Sequence, residues 1–445
     1  MAGPGLIVAA PASGSGKTVF VLGLLRALRR MGVDVAAAKV GPDYIDPAFH
    51  AAASGRDGVS LDGWAMRPAT LAALVARVSA AETVVCEGVM GLFDGAAVPP
   101  GAPDGSTADI ARATGWPVVL VMDVSRQAAS AAAAVEGFRR FRPDVAPVAL
   151  VFNRVGGPGH RALLEEAFAR HHPDLPVLGW IPHEAALRFP ERHLGLVQAG
   201  ETADLDARLE EAAAVVARHV DIEALRALAR PSPLASLPAG ASPWTPDPPG
   251  SRIAVARDDA FAFAYPWLLD GWRRAGAHIE FFAPLADEAP SADADVVYLP
   301  GGYPELHAGR LAAASRFLAG LHRAAAGGAW VWGECGGGMV LGEAIEDADG
   351  VRHPMAGLLP LATSFRQRRL HLGYRRARLC ADTPLGPVGT WVRGHEFHYA
   401  TVLREGPGQP LFDAADAGGR PLGPMGRIAG RVMGSFLHAI DRDEG

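Results

Sequence analysis

Short unbroken apolar runs alternate along the chain with longer stretches of helical periodicity. In the first half the runs are Gly5–Ala10 (GLIVAA), Val33–Lys39, Thr83–Glu87 (TVVCE), Val118–Asp123 (VVLVMD), Val148–Asn153 (VALVFN) and a brief Val177–Trp180. Helical patterns lie between most of them, for example from Thr18 to about Met31 and over Ala128–Phe141. Strand and helix in alternation predict a parallel sheet with helices on both faces. The second half repeats the style, with strands expected at Ile253–Ala256, His278–Phe282, Val296–Pro300 and Ala329–Trp332. Between the halves stands PSPLASLPAGASPWTPDPP (Pro231–Pro249), whose seven prolines remove backbone donors and bar regular helix or central strand. The expectation is an α/β protein of two parts: a domain over residues 1–228, a linker over 229–250 and a second α/β domain over 251–445.

Composition narrows the class. The 445 residues are 49% hydrophobic and carry a net charge of −6, without the basic field of a nucleic-acid binder. Three cysteines, Cys86, Cys335 and Cys380, offer no disulfide framework and suit a reducing cytoplasm. No basic-then-apolar leader opens the chain, and no apolar run nears the ~20 residues needed to span a bilayer.

The first chemical motif is APASGSGKT (Ala10–Thr18), between the first expected strand and the first expected helix. That setting aims the backbone around Ser13, Gly14, Ser15 and Gly16, and a helix N-terminus, at an anion. Lys17 is then expected on the β- and γ-phosphates of ATP and Thr18 on Mg²⁺; the plain alternative is a glycine-rich turn with a solvated lysine. Pro11 stands where the strict phosphate-loop pattern has its first glycine. That departure argues against a motor or GTPase loop. Enzymes resembling dethiobiotin synthetase, which phosphorylate a carboxylate with ATP, relax the same position.

Acidic loops follow the next strands. KVGPDYIDP (Lys39–Pro47) and VCEGVMGLFDG (Val85–Gly95) fall at carboxyl ends of strands, where ligands of open α/β sheets bind. Asp43 and Glu87, with Thr18, are the candidate metal ligands. Lys39, Asp46 and Asp94 are candidates for the substrate or acyl-phosphate site. Turn hydrogen bonds beside Pro42 and Pro47 are the alternative for Asp43 and Asp46. Asp123 is a further metal-side candidate, and Asn153 is expected to read the adenine edge, a simple turn role being the alternative.

A second constellation lies beyond the linker. WGECGGG (Trp332–Gly338) follows an apolar strand, and its Gly333-x-Cys335-x-Gly337 core has the form of a nucleophile elbow. A helix N-terminus there should lower the thiol pKa, leaving Cys335 partly thiolate. Cys86 and Cys380 look inert. A cysteine nucleophile needs a base: His438, in SFLH at the end of a candidate strand Gly430–Ser435, and His395 and His398 in RGHEFHY all qualify, and the residues alone leave the choice open. LPGGYPE (Leu299–Glu305) supplies Gly301 and Gly302, whose backbone N–H groups can face an oxyanion.

LPGGYPE, GECGGG and the late His438 resemble the triad-type class I glutamine amidotransferases. With APASGSGKT, KVGPDYIDP, VCEGVMGLFDG and RGHEFHYA, the whole chain resembles, in order, the cobyrinic or hydrogenobyrinic acid a,c-diamide synthases of cobalamin biosynthesis. The resemblance implies that Cys335 attacks glutamine, that His438 serves as acid and base, and that the amides of Gly302 and Gly336 hold the oxyanion. It implies that ATP·Mg²⁺ activates corrin acetates for amidation. The partners it implies are L-glutamine and a corrinoid polycarboxylate, with no nucleic acid and no membrane; a homodimer is compatible with it. Alternatives are a cobyric acid synthase, which amidates other corrinoid carboxylates, and a P-loop ATPase switch with a degenerate amidotransferase domain. One departure stands out: triad amidotransferases carry a glutamate two residues after the histidine, and here Ala439 and Ile440 follow His438. What orients His438 is open, Glu396 being one candidate, and a weak intrinsic glutaminase is expected. The arginines of Phe365–Leu370 (FRQRRL) and Tyr374–Arg376 are candidates for holding substrate carboxylates, or simply a basic strand edge.

Overall fold

A computed structural model describes residues 2–184, 189, 191–192, 195–196, 198–202, 204–236 and 246–443. Residues 237–245 of the expected linker lie outside the described residues. The chain divides into two compact units, one of Met1–Trp64, Leu71–Gly95 and Pro103–Gly240, the other of Ala65–Thr70, Ala96–Ala102 and Ala241–Gly445.

The first unit is built on strands β1 (Gly5–Ala9), β2 (Val35–Val40), β3 (Val59–Leu61), β4 (Thr83–Glu87), β5 (Val118–Asp123), β6 (Ala149–Val155) and β7 (Val177–Pro182). They form one sheet in the order β3-β2-β4-β1-β5-β6-β7, parallel throughout. Every residue of β1, β2 and β4 is buried, which is why these segments read as continuous apolar runs rather than alternating ones. The helix Lys17–Arg30 is buried without a break from Phe20 to Leu28, so it is covered on all sides through its middle. It starts straight after Gly16, whose φ of 84° a side chain would strain. Arg230, at the start of the expected linker, exchanges backbone hydrogen bonds with Gly5. Two-residue strands β8 (Glu191–Arg192) and β9 (Gly195–Leu196) pair antiparallel.

The second unit has ten strands in one sheet. β10 (Arg252–Ala256), β11 (His278–Phe282), β12 (Val296–Leu299) and β13 (Trp330–Glu334) are its early strands. A side sheet contains β14 (Ala344–Glu346), β15 (Arg352–Pro354), β16 (Leu361–Ser364) and β19 (Thr401–Glu405), while β17 (His371–Leu379), β18 (Trp391–His398), β20 (Gln409–Asp416), β21 (Pro421–Ala429), β22 (Val432–Ser435) and β23 (Leu437–Asp443) return to the main one. The main order is β11-β10-β12-β13-β22-β21-β20-β17-β18-β23, parallel up to β22 and antiparallel after it. His438 was expected to end a strand beginning at Gly430; instead β22 stops at Ser435 and His438 sits near the start of β23. The break at Phe436 is tied by Ser435, whose Oγ accepts from the Leu437 amide at 3.1 Å. Among the described residues no helix is long and apolar enough to cross a membrane.

Candidate active site

Two sets of chemical side chains form, one in each unit. In the first, parallel register brings Lys39 on β2 directly beside Glu87 on β4, both at carboxyl ends. Lys39 Nζ donates to Asp46 Oδ2 at 2.5 Å and to Glu87 Oε1 at 2.9 Å. The same Glu87 Oε1 accepts from Thr18 Oγ1 at 2.5 Å, and Glu87 Oε2 lies 2.7 Å from His50 Nε2. Glu87 and His50 are fully buried. Burial works against the Glu87 charge, but Lys39 and the His50 hydrogen bond outweigh it and hold the carboxyl far below its usual range. Burial likewise opposes the Lys39 charge, and Asp46 and Glu87 overturn that, so the ammonium is held on. Asp46 is raised to about 6 by burial and by Asp43, against the pull of Lys39.

The phosphate loop carries Gly14 and Gly16 at positive φ. Lys17 Nζ donates to the Met90 carbonyl at 3.1 Å, and burial, then Lys39, lowers its pKa. A buried ammonium pressed by a second cation is a place for polyanion charge. Asp43 caps the turn, its Oδ1 accepting from the amides of Ile45 at 2.8 Å and Asp46 at 3.0 Å. Asp94 is exposed and its Oδ2 accepts from the Gly91 amide at 2.8 Å, closing the loop after β4. The turn-forming alternative thus describes the bonds of Asp43, while Asp46 is drawn into the charge network; Asp94 also makes a turn bond.

Two further candidates make bonds of their own. Asn153, expected on the adenine edge, braces the loop: Nδ2 donates to the Ser15 carbonyl at 2.9 Å and Oδ1 accepts from the Arg154 amide at 2.9 Å. A Cβ on Gly16 would overlap that amide, so the brace needs glycine there. Asp123, expected beside the metal, is taken up by Arg154 and by the Ser125 amide. His50 was not anticipated from sequence. It lies in the helix Asp46–Ser54 with no motif to mark it, and only the fold brings it to Glu87.

For a divalent cation the donors converge as hard oxygens. The Thr18 hydroxyl and the ionised Glu87 carboxylate lie 2.5 Å apart at the start of the loop helix, which suits Mg²⁺.

In the second unit, Cys335 lies between β13 and the helix Gly336–Leu341 with φ 47° and ψ −109°, a strained turn for a side-chain-bearing residue. Glycine surrounds it out of necessity. A Cβ on Gly337 would overlap the Leu299 carbonyl, and one on Gly333 would come within 2.6 Å of the Gly337 backbone. The turn is tied down by the Cys335 amide, which donates to the Ser435 carbonyl at 2.7 Å. The loop after β12 faces it. A Cβ on Gly301 would overlap the His438 ring, stand 3.1 Å from His438 Nε2 and 3.3 Å from Cys335 Cβ. Cys335 and Nε2 of His438 therefore flank the small space that Gly301 leaves open. The Gly302 nitrogen is 3.2 Å from where a Cβ on Gly336 would be, so the two glycines expected at the oxyanion are neighbours.

The three candidate histidines differ in their surroundings. His438 Nε2 and Cys335 Cβ both border the position a Cβ on Gly301 would take, at 3.1 and 3.3 Å. His395 is the cross-strand partner of His438, buried and lowered to about 4 by burial and by Arg375. His398 is engaged at both nitrogens, 3.0 Å from Glu396 Oε1 and 3.1 Å from the Ala400 carbonyl. Glu396 also pairs with Arg375 at 2.7 Å, and its carboxyl is held at about 2. Burial opposes that, and the bond to His398 and the charge of Arg375 more than offset it. Glu396, His398 and His371 come close enough to suggest a cation site, yet Glu396 and His398 are already bonded to each other, Glu396 also to Arg375, and His371 is stacked on the His398 ring. The arginine cluster divides: Arg375 and Arg376 are bound to Glu396 and Asp443, while Arg366, Arg368 and Arg369 are exposed.

The expectation of a partly ionised Cys335 is corrected. Burial pushes its thiol well above the usual value, and the Gly336 amide recovers only part of that. The thiol points to the Phe397 carbonyl at 3.8 Å. His438 is lowered to about 3 by burial and then by His395 and His398, so the resting imidazole is neutral. Cys86 is fully buried on β4, with its thiol raised by burial.

Comparison with known proteins covers both units. The CobQ/CobB/MinD/ParA nucleotide binding domain matches residues 6–197, and the CobB/CobQ-like glutamine amidotransferase domain matches residues 252–444. The hydrogenobyrinate a,c-diamide synthase of Brucella suis biovar 1 is 55% identical over 442 residues, 98% of each chain. The protein of the same name from Rhodobacter capsulatus is 54% identical over 98% of each chain, and that of Rhizobium meliloti 53% identical over 99% of this chain and 100% of its own.

Proposed function

The chain belongs to the family of hydrogenobyrinate a,c-diamide synthases, and from that premise we propose how its residues carry the reaction. It is an ATP- and glutamine-dependent ligase that amidates the a and c acetate carboxylates of hydrogenobyrinate. A carboxylate is a poor electrophile and ammonium is no nucleophile. ATP removes the first obstacle by forming an acyl phosphate. Hydrolysis of glutamine in an enclosed site removes the second by releasing NH₃ as the free base.

In the first unit the backbone of Ser13–Gly16 cradles the phosphates, whose charge offsets the burial and the Lys39 repulsion that disfavour the Lys17 ammonium. Thr18 and Glu87, with Asp43, are the side chains that would hold Mg²⁺; the ion would supply charge neutralisation at the phosphates. Lys39 shields the negative charge of the incoming carboxylate, and Asp46 and His50 hold the Lys39–Glu87 pair in place. The substrate carboxylate oxygen takes the γ-phosphoryl group and ADP leaves. Ammonia then attacks the acyl carbon, phosphate departs, and the amide remains after loss of a proton.

In the second unit His438 Nε2 takes the Cys335 proton as sulfur attacks the side-chain amide carbon of glutamine. The amides of Gly302 and Gly336 receive the developing oxyanion. His438 passes its proton to the departing nitrogen, releasing NH₃ and leaving a thioester. Water, deprotonated by the same imidazole, cleaves the thioester to glutamate. The observation that carries this reading is the elbow: Cys335 at positive φ, sharing one glycine-cleared space with His438 Nε2.

The test is a product assay on the full chain with ATP, Mg²⁺ and glutamine, offering hydrogenobyrinic and cobyrinic acids in parallel. Loss of two carboxylate charges, faster on the metal-free ring, is expected by anion exchange and mass. ATP turnover without conversion of either ring would overturn it. The glycine-cleared space makes its own prediction. Gly301→Ala is expected to cut glutamine-driven amidation by roughly 10²-fold or more, because a methyl group displaces His438 from its attack geometry. Amidation driven by added ammonium should survive; equal loss in both assays would mean that the change disturbs more than the glutaminase.

A further inference from the structure

We propose that Glu334, the residue immediately before the nucleophile, is the carboxylate that positions His438, in place of the glutamate missing two residues after that histidine. The inference rests on the Cys335–His438 reading above and concerns what holds the base in line.

Glu334 ends β13 and is 3% exposed. Its Oε1 accepts from the backbone amide of Ala439, the residue after His438, at 2.9 Å. Its Oε2 accepts from the Tyr298 hydroxyl at 2.7 Å and lies 3.9 Å from His438 Nδ1. The imidazole therefore has Nδ1 toward Glu334 and Nε2 toward the space beside Cys335. A base whose far nitrogen meets a carboxylate has its tautomer set, with hydrogen on Nδ1 and the lone pair on Nε2, and its imidazolium stabilised once formed. Tyr298 is itself held, stacked on Trp332 with ring centres 4.4 Å apart, so the carboxylate is fixed from the strand side.

The separation of 3.9 Å is longer than a hydrogen bond. Catalytic contacts of this kind shorten when substrate is bound. A slack resting contact, with a neutral thiol turned to the Phe397 carbonyl, predicts weak glutaminase activity until the site is loaded.

Charge state follows from the surroundings. The groups that bear on Glu334 are Tyr298 on β12, Cys335 beside it and His438 on β23; Tyr265 bears on Tyr298, and His395, His398 and Glu396 on β18 bear on His438. Burial raises the Glu334 carboxyl to about 7, and the Ala439 amide and Tyr298 hydroxyl restrain the rise. His438, at about 3, stays neutral across the working range, so Glu334 is the group whose ionisation turns the base on as pH rises.

The experiment measures glutamine-driven and ammonium-driven amidation by the full chain from pH 5.5 to 9 (a range of about that width spans the limb). The parent protein should show an acid limb near the Glu334 value in the glutamine assay alone. Glu334→Gln should lower the glutamine-driven kcat by about 10²–10⁴-fold, erase that limb and leave the ammonium-driven rate. Tyr298→Phe removes a donor to the carboxylate, so the limb should move to higher pH with the plateau rate kept within a few fold. Glutamine-driven activity of Glu334→Gln within threefold of the parent, on an unmoved limb, would overturn the assignment. If Glu334→Gln loses the ammonium-driven rate too, Tyr298→Phe decides, and an unmoved limb there overturns it. Cys335→Ser separates the underlying reading: glutamine-driven turnover surviving in that variant would refute the nucleophile, whatever Glu334 does.

Discussion

Cys335→Ala should abolish amidation driven by glutamine, by at least about 10⁴-fold, and leave amidation driven by ammonium at its parental rate. The loss is large because no neighbouring group can replace the thiol. Cys86 is fully buried in the other unit, and Cys380 lies in the loop after β17. The ammonium-driven rate is expected to survive because the residues proposed for phosphorylation of the carboxylate, Lys17, Lys39 and Glu87, belong to the first unit and the elbow to the second. The substitution is also structurally mild. Alanine at φ 47° is strained about as cysteine is, so the turn is neither relieved nor further loaded. The check is one pair of rates on one preparation. Retention of the glutamine-driven rate would remove Cys335 as the nucleophile.

Lys39→Met should abolish both rates and destabilise the first unit. The ammonium is 4% exposed between two carboxylates, and removing it strands Asp46 and Glu87 in a low-dielectric interior. Breaking a buried pair in this way costs about 3–5 kcal/mol. The deficit has a sign in pH. Asp46 is already raised to about 6, above its unfolded value, and loses its main stabilising charge in the variant, so its pKa climbs further. Its burial penalty is present above that pKa and relieved as pH falls through it. Chemical denaturation of parent and variant should therefore differ more at pH 8 than at pH 5.5 (values chosen roughly to bracket the Asp46 titration). Lys17→Ala is the contrast: its ammonium is bonded to a carbonyl rather than to a carboxylate, so both rates should vanish with little loss of stability. A Lys39→Met protein as stable as the parent at pH 8 would show that the pair contributes nothing to the fold.

Much of this could be read from the chain because the signals were local. APASGSGKT between a strand and a helix, and WGECGGG after another strand, declare their backbone shape through glycines whose positions exclude side chains. The carboxyl ends of β2 and β4 could be matched because parallel register is short-range in pattern, and it brings Lys39 beside Glu87. His50 could not be found in this way. It carries no spacing signal, and its contact with Glu87 spans 37 residues of chain. Glu334 was in plain view inside GECGGG, yet its partners Tyr298 and Ala439 are 36 and 105 residues away.

The sequence by itself determined which residue types the chemistry would use, where the backbone must turn sharply, and that two α/β units would carry them. Those properties reside in single residues and their immediate neighbours, and survive without a fold. Only the tertiary structure decided which histidine faces Cys335, that Asn153 braces the loop, and that the thiol rests protonated. Proximity between distant segments, and the removal of water around a charge, come into being when strands pair and the core closes; no stretch of chain holds them alone.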